Sequence, residues 1–77
     1  MKRVIRTNKP SLKQCENMSY NLTVKYGEYS SIEIQTKTYK DKKFEIDYWL
    51  SVNNTNISGF SETWSEIQDR YFKLMEE

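Results

Sequence analysis

Between Met18 and Val52 apolar residues recur at nearly every second position, and from Phe60 onward they recur every three or four. This change of period restricts the fold more than any other feature, because a strand shows alternate residues to one face while a helix shows a stripe at 3.6-residue spacing. Met18, Tyr20, Leu22, Val24 and Tyr26 alternate with Ser19, Asn21, Thr23 and Lys25, which predicts a half-buried strand broken by Gly27. Ile32, Ile34, Thr36 and Thr38 against Glu33, Gln35, Lys37 and Tyr39 predict a second strand. Phe44, Ile46, Tyr48, Leu50 and Val52 against Glu45, Asp47, Trp49 and Ser51 predict a third.

Directly paired residues in an antiparallel hairpin point to the same face, so the pattern also limits the register. A two-residue turn at Asp41-Lys42 pairs Ile34 with Trp49 and sends the two apolar rows to opposite faces. An odd connection avoids that, and a three-residue loop pairs Lys40 with Phe44, Ile34 with Leu50 and Ile32 with Val52. The same logic pairs Tyr26 with Ser30 around a loop of Gly27, Glu28 and Tyr29.

After a polar, turn-forming stretch from Asn53 to Ser58, the residues Phe60, Trp64, Ile67, Tyr71 and Leu74 form one helical stripe, widened by Phe72 and Met75. Ser61 is the expected N-cap, with Glu62 in the first turn and Glu66–Arg70 and Asp69–Lys73 as i,i+4 pairs. Stripe and sheet each need a cover, and in so short a chain each serves the other. The expected fold is α+β: a three-stranded antiparallel meander packed on one C-terminal helix, with Pro10-Ser11 able to open a short helical turn running to about Asn17. Residues 1–77 read as a single domain, with a basic arm over 1–17, the sheet over 18–52 and the helix over 60–76. Ile34, Leu50, Trp64, Ile67 and Tyr71 are expected to be largely buried. Tyr20, Tyr26, Tyr48 and Tyr71 fall at core-facing positions, whereas Tyr29 and Tyr39 do not.

Composition narrows the function. A 77-residue chain buries only about 60% of its unfolded surface, which leaves little room for a catalytic cleft. Histidine is absent, which removes the usual imidazole acid–base and metal chemistry. With two glycines there is no phosphate-cradling loop, and no nucleophile motif occurs. The carboxylate pairs Glu45/Asp47 and Glu62/Glu66 read as solvated faces, and the single cysteine, Cys15, as a small buried hydrophobe. The expectation is a protein that is not an enzyme and carries no cofactor or metal. No apolar run approaches the roughly 20 residues of a membrane span, and the start MKRVIRTNKP lacks a signal-peptide core, so a cytoplasmic location is expected. Four tripeptides of glycosylation type, beginning at Asn17, Asn21, Asn53 and Asn56, then follow simply from an Asn/Ser/Thr-rich composition.

Charge is divided. Residues 1–43 hold ten Lys/Arg and four Asp/Glu, a balance of +6, and 44–77 hold two and seven, a balance of −5, within a total of +1. Such polarity steers a partner or lets the two halves of the fold attract each other. Trp49 stands out because the third strand's alternation sends it outward among polar residues, beside Gln35 and then Asn21 in the register above. Either Val4, Ile5 or Leu12 of the arm covers the indole, or Trp49 is an exposed anchor of the kind found at interface hot spots. The candidate partner-binding residues are Trp49, Tyr39, Gln35, Lys37, Tyr29, Lys40, Lys42 and Lys43. The leading expectation is a stoichiometric protein-binding module whose target is a protein or ribonucleoprotein. The alternative is nucleic-acid binding through the basic arm and the Lys40–Lys43 loop, with no membrane partner in either case.

The order of short helix, three strands and helix resembles that of the double-stranded-RNA-binding domain over roughly residues 10–77. That family places a lysine cluster at the start of its second helix. Here the helix opens Ser61-Glu62-Thr63-Trp64-Ser65-Glu66, with acids where phosphates would lie, so the likeness is one of topology. Three strands and a helix are also similar to the sheet-reading DNA-binding domain of some phage-type integrases, although Glu33, Glu45 and Asp47 on the outward face would oppose DNA. In style, a short chain rich in Lys, Asn, Tyr and Ile and nearly free of motifs resembles small accessory proteins of phages and mobile elements, anti-CRISPR proteins among them. That resemblance implies binding and blocking of a host or defence nuclease complex, and assigns no residues.

Overall fold

The computed structural model describes residues 1–38, 44–59 and 62–77. Helix α1 spans Leu12–Tyr26, strand β1 Ser31–Thr38, β2 Phe44–Val52, β3 Thr55–Asn56 and helix α2 Trp64–Glu76. The strands form an antiparallel sheet in the order β1-β2-β3. The fold is thus α+β, with a three-stranded meander and a C-terminal helix, and a full-length helix precedes the sheet.

That first helix corrects the reading of residues 18–26 as a strand. Ser11 caps it, its side chain accepting from the Gln14 N–H at 3.3 Å, and Gly27 ends it at φ 123, its N–H bonded to the Thr23 carbonyl at 3.0 Å. Glycine tolerates such a φ at no steric cost. The residues it buries are Cys15, Met18, Asn21 and Leu22, a stripe at steps of three and four. Alternate apolar residues Tyr20 and Val24 lie on the solvent side, where single exposed hydrophobes carry no penalty. The reading of 1–17 as an arm is shortened accordingly to the residues before Ser11.

The β1–β2 pairing sets Ile32 opposite Leu50, Ile34 opposite Tyr48 and Thr38 opposite Phe44. The connection is odd, as the apolar pattern required, but it comprises residues 39–43, and the register is displaced by two from the three-residue-loop pairing. The sheet's third strand is not residues 18–26 but Thr55–Asn56, paired with Val52 and Ser51. The turn between them, Asn53-Asn54, has φ of 52 and 63. Positive φ at both central positions is the type I′ geometry that suits a two-residue hairpin, and asparagine is among the few residues that accept it.

Helix α2 begins at Trp64, four residues later than the stripe suggested. Its N-cap is Thr63 rather than Ser61: Thr63 Oγ1 accepts from the Glu66 N–H at 3.2 Å, while Glu66 Oε1 accepts from the Thr63 N–H at 3.2 Å. Phe60 and Ser61 lie outside the described residues. Arg70 pairs with Glu62 rather than Glu66, and Asp69 with Arg6 rather than Lys73.

Both helices cover one face of the sheet. Cys15, Met18 and Leu22 from α1, Ile32, Tyr48 and Leu50 from the sheet, and Trp64, Ile67 and Tyr71 from α2 make one core. Leu50, Trp64, Ile67 and Tyr71 are buried as expected, whereas Ile34 is half-buried at the core's margin. Tyr48 packs on Trp64 with ring centroids 5.5 Å apart. Of the four tyrosines placed inward by the sequence, Tyr48 and Tyr71 are buried and Tyr26 is half-buried, but Tyr20 is 50% exposed.

Burial pushes the Cys15 thiol up from 9.0 to about 11. The neutral thiol is the form the fold favours, so its contribution to stability is complete below the unfolded value and is lost as pH rises through that window. At pH 8 Ellman's reagent should label Cys15 only on unfolding, and urea stability should fall from pH 9 to 11 more in the native sequence than in Cys15→Ala. Stoichiometric labelling of native protein within seconds would contradict this placement.

Candidate interaction surface

The outer face of the sheet is built by the residues that the core-facing alternation leaves over. With Tyr48 and Leu50 packed inward, Trp49 turns outward and is 42% exposed. The register places Glu33 directly opposite Trp49, with Ser31–Ser51 and Gln35–Asp47 as the flanking pairs. The expected Gln35 neighbour is therefore diagonal. Asn21, expected beyond Gln35 on this face, is buried in α1 on the other side of the sheet.

The arm does not shield the indole. It runs along the helices, where Val4 packs against the core and Ile5 stays exposed, and Leu12 is exposed at the start of α1. Two carboxamides hold it. Asn21 Oδ1 accepts from the Lys2 N–H at 2.7 Å and its Nδ2 donates to the Lys2 carbonyl at 2.8 Å and to Tyr71 Oη at 2.8 Å. Gln68 Oε1 accepts from the Thr7 N–H at 2.7 Å and its Nε2 donates to the Thr7 carbonyl at 2.9 Å. Each side-chain amide pairs with the arm as a neighbouring strand would. Trp64 Nε1 adds a bond to Thr7 Oγ1 at 3.0 Å, and the Arg6 guanidinium reaches Asp69 and the Ser65 carbonyl. The basic half and the acidic half thus meet within the fold, and Lys2 also lies 5.6 Å from the Tyr20 ring centroid.

Among the described residues the sequence-derived candidates fall in two places. Trp49 and Gln35 share the outer face, and Lys37 lies in the same strand phase, opposite Glu45. Tyr29 is 65% exposed but sits at the far end of the hairpin, where its carbonyl accepts from the Asn54 N–H at 2.8 Å. Tyr39, Lys40, Lys42 and Lys43 lie outside the described residues.

The start of α2 is acidic in space as well as in sequence. Hydrogen bonds from Arg70 hold the Glu62 carboxyl below its ordinary range against the opposing effect of its burial, helped by the Gly59 N–H at 2.8 Å. Glu62 and the capping-box Glu66 stand at the helix N-terminus, where carboxylates suit the helix dipole, and Glu62 is also paired with Arg70. Among the described residues no helix is long and apolar enough to cross a membrane.

Two features escaped the sequence reading: the paired carboxamides Asn21 and Gln68, and the flank of α1 beside β1. Both depend on residues 12–26 being helical, for which Ser11 and Gly27 were the available signals. Comparison with protein-family models gives no match, and comparisons with curated proteins and with solved structures give none either.

Proposed function

We propose that the chain is a non-catalytic protein-binding module acting through the outer sheet face around Trp49. The observation that supports this most is a tryptophan 42% exposed at the middle of a strand, on the face away from both helices and untouched by the arm. Tryptophan supplies a large rigid contact area with a polar tip, and it is enriched among residues that dominate binding energy. The ring of Ser31, Glu33, Gln35, Asp47 and Ser51 around it is the polar rim such an anchor ordinarily has. Nucleic-acid binding is less well supported, because Lys2 and Arg6 of the basic arm are engaged by α1 and α2.

Trp49→Ala separates folding from binding. Exposed substitutions change stability within about 0.5 kcal/mol, whereas loss of an anchor costs about 2 kcal/mol or more in affinity, roughly thirtyfold. The variant should keep its circular dichroism and melting temperature and lose the partner that the native chain retains on a column. Iodide should quench one of the two indoles, and Trp49→Ala should remove that quenchable component, since Trp64 is buried. A variant that unfolds, or one that holds the partner undiminished, would overturn the reading. Steep salt dependence of binding would instead favour phosphate contacts.

A further inference from the structure

We propose that the exposed edge of β1, with the groove between it and α1, binds an extended basic segment of a partner protein by strand addition. The site shares Glu33 with the rim of the Trp49 surface but does not use the indole and does not rest on that reading.

β1 is an edge strand. Ile32 turns both backbone groups away from β2: its N–H donates to Ser19 Oγ at 3.0 Å, and Ser19 Oγ donates to its carbonyl at 3.2 Å. The partners of Ile32 and Ile34 agree, since the Leu50 carbonyl accepts from the Ile57 N–H at 2.8 Å and the Tyr48 carbonyl from Ser58 Oγ at 3.2 Å, both on the β3 side. Backbone direction alternates along an antiparallel strand, so Ile34 also presents its N–H and carbonyl outward. Helix α1 closes the edge only as far as Ile32, with Thr23 Oγ1 donating to the Ser30 carbonyl at 3.0 Å as the second closure. Among the described residues nothing pairs with the outward groups of Ile34. An open edge of this kind is a template for another strand.

Beside it lies a groove of about 650 Å³. One flank of α1, with Leu12, Cys15, Glu16 and Tyr20, faces Glu33 and Ile34 across it. Leu12 and Tyr20 are largely exposed there. A strand added next to Ile34 would turn alternate side chains into this groove, against Leu12, Tyr20 and the sulfur of Cys15. The intervening side chains would lie on the outer face beside Glu33. The acidic groups lining the groove, Glu16 and Glu33, fix the occupant's charge: among the described residues, Glu16 pairs only with Lys13, at 4.0 Å with both side chains mostly exposed, and Glu33 has no ion-pair partner. The complementary ligand therefore alternates apolar with basic residues in extended conformation.

The test is a titration of the whole chain with a seven-residue peptide alternating valine and lysine, followed by amide NMR. Perturbation should centre on Tyr20, Glu33 and Ile34, and exchange of the Ile34 amide should slow. Charge reversal at both Glu16→Lys and Glu33→Lys should weaken the peptide about tenfold, and Trp49→Ala should leave it unchanged. A peptide of valine and glutamate should not bind. Equal binding of that acidic peptide, perturbation centred elsewhere, or none at millimolar peptide would overturn the proposal. Slowing of Ile34 exchange with protein concentration alone would identify a second copy of the chain as the occupant and overturn it equally.

Discussion

Replacing Ile67 with alanine is expected to remove a large share of the stability, about 2 to 5 kcal/mol. The side chain is fully buried, in the first turns of α2, within the single core that joins both helices to the sheet. Removing a large core side chain costs about 2 to 5 kcal/mol, the higher values where the surroundings cannot collapse. At about 0.05 to 0.15 kcal/mol per residue, a domain of this size has roughly 4 to 12 kcal/mol in all. The capping box fixes the helix start and limits how far α2 can shift to fill the void. A urea melt reads the result directly, with Lys73→Ala on the exposed side as a control expected within about 0.5 kcal/mol of the native sequence. A cooperative melt within a few degrees of native would show that α2 does not pack against the sheet through this residue.

The second large effect is expected from removing the two carboxamides together. Asn21→Leu and Gln68→Met keep most of the volume but delete every bond that the two carboxamides make to Lys2 and Thr7, and in Asn21→Leu also the bond to Tyr71 Oη. A buried polar group left without its partner costs about 1 to 3 kcal/mol. Peeling the arm into water restores hydrogen bonds to its backbone but leaves the Trp64 indole without Thr7 and withdraws Val4 from the core. Each single variant should therefore lower stability by about 1 to 3 kcal/mol, and the double variant should free the arm. Heteronuclear NOE values for residues 2–8 should fall in the double variant while those of β2 stay unchanged. An arm as rigid in the double variant as in the native chain would show that Val4 and Arg6 suffice to hold it.

The hairpin and the last helix were legible because their patterns had a single physical solution. Phe44 to Val52 alternates without interruption, and a slip of one residue would have driven Trp49 into the core. The odd connection followed from that, although parity alone does not choose between three residues and five. Helix α2 showed its stripe plainly, and only its start was misplaced, since Ser61 and Thr63 both offer a capping hydroxyl and Glu66 three residues on decides for Thr63. Residues 18–26 misled because two periods fit them. Their alternating row includes Tyr20 and Val24, which the helix leaves on its outside, and the true stripe is interrupted by Asn21, a polar residue whose burial makes sense only once the arm is there to meet it. Trp49 was placed outward correctly, yet what flanks it depended on a register two residues off. The groove beside β1 was beyond reach, because it is formed by a helix that had been read as a strand.

The way the arm is held bears on how the chain can be made. Arg6 meets Asp69, and Thr7 meets Gln68 and Trp64, across separations of 63, 61 and 57 residues. Synthesis runs from the arm toward α2, so Arg6 and Thr7 are made well before the helix that holds them. Without α2 the core lacks Trp64, Ile67 and Tyr71, and Met18, Leu22 and Leu50 are left with less cover. A chain cut before Trp64 should therefore keep a loose arm and a core open to protease, and the arm should close only when α2 is present to hold it.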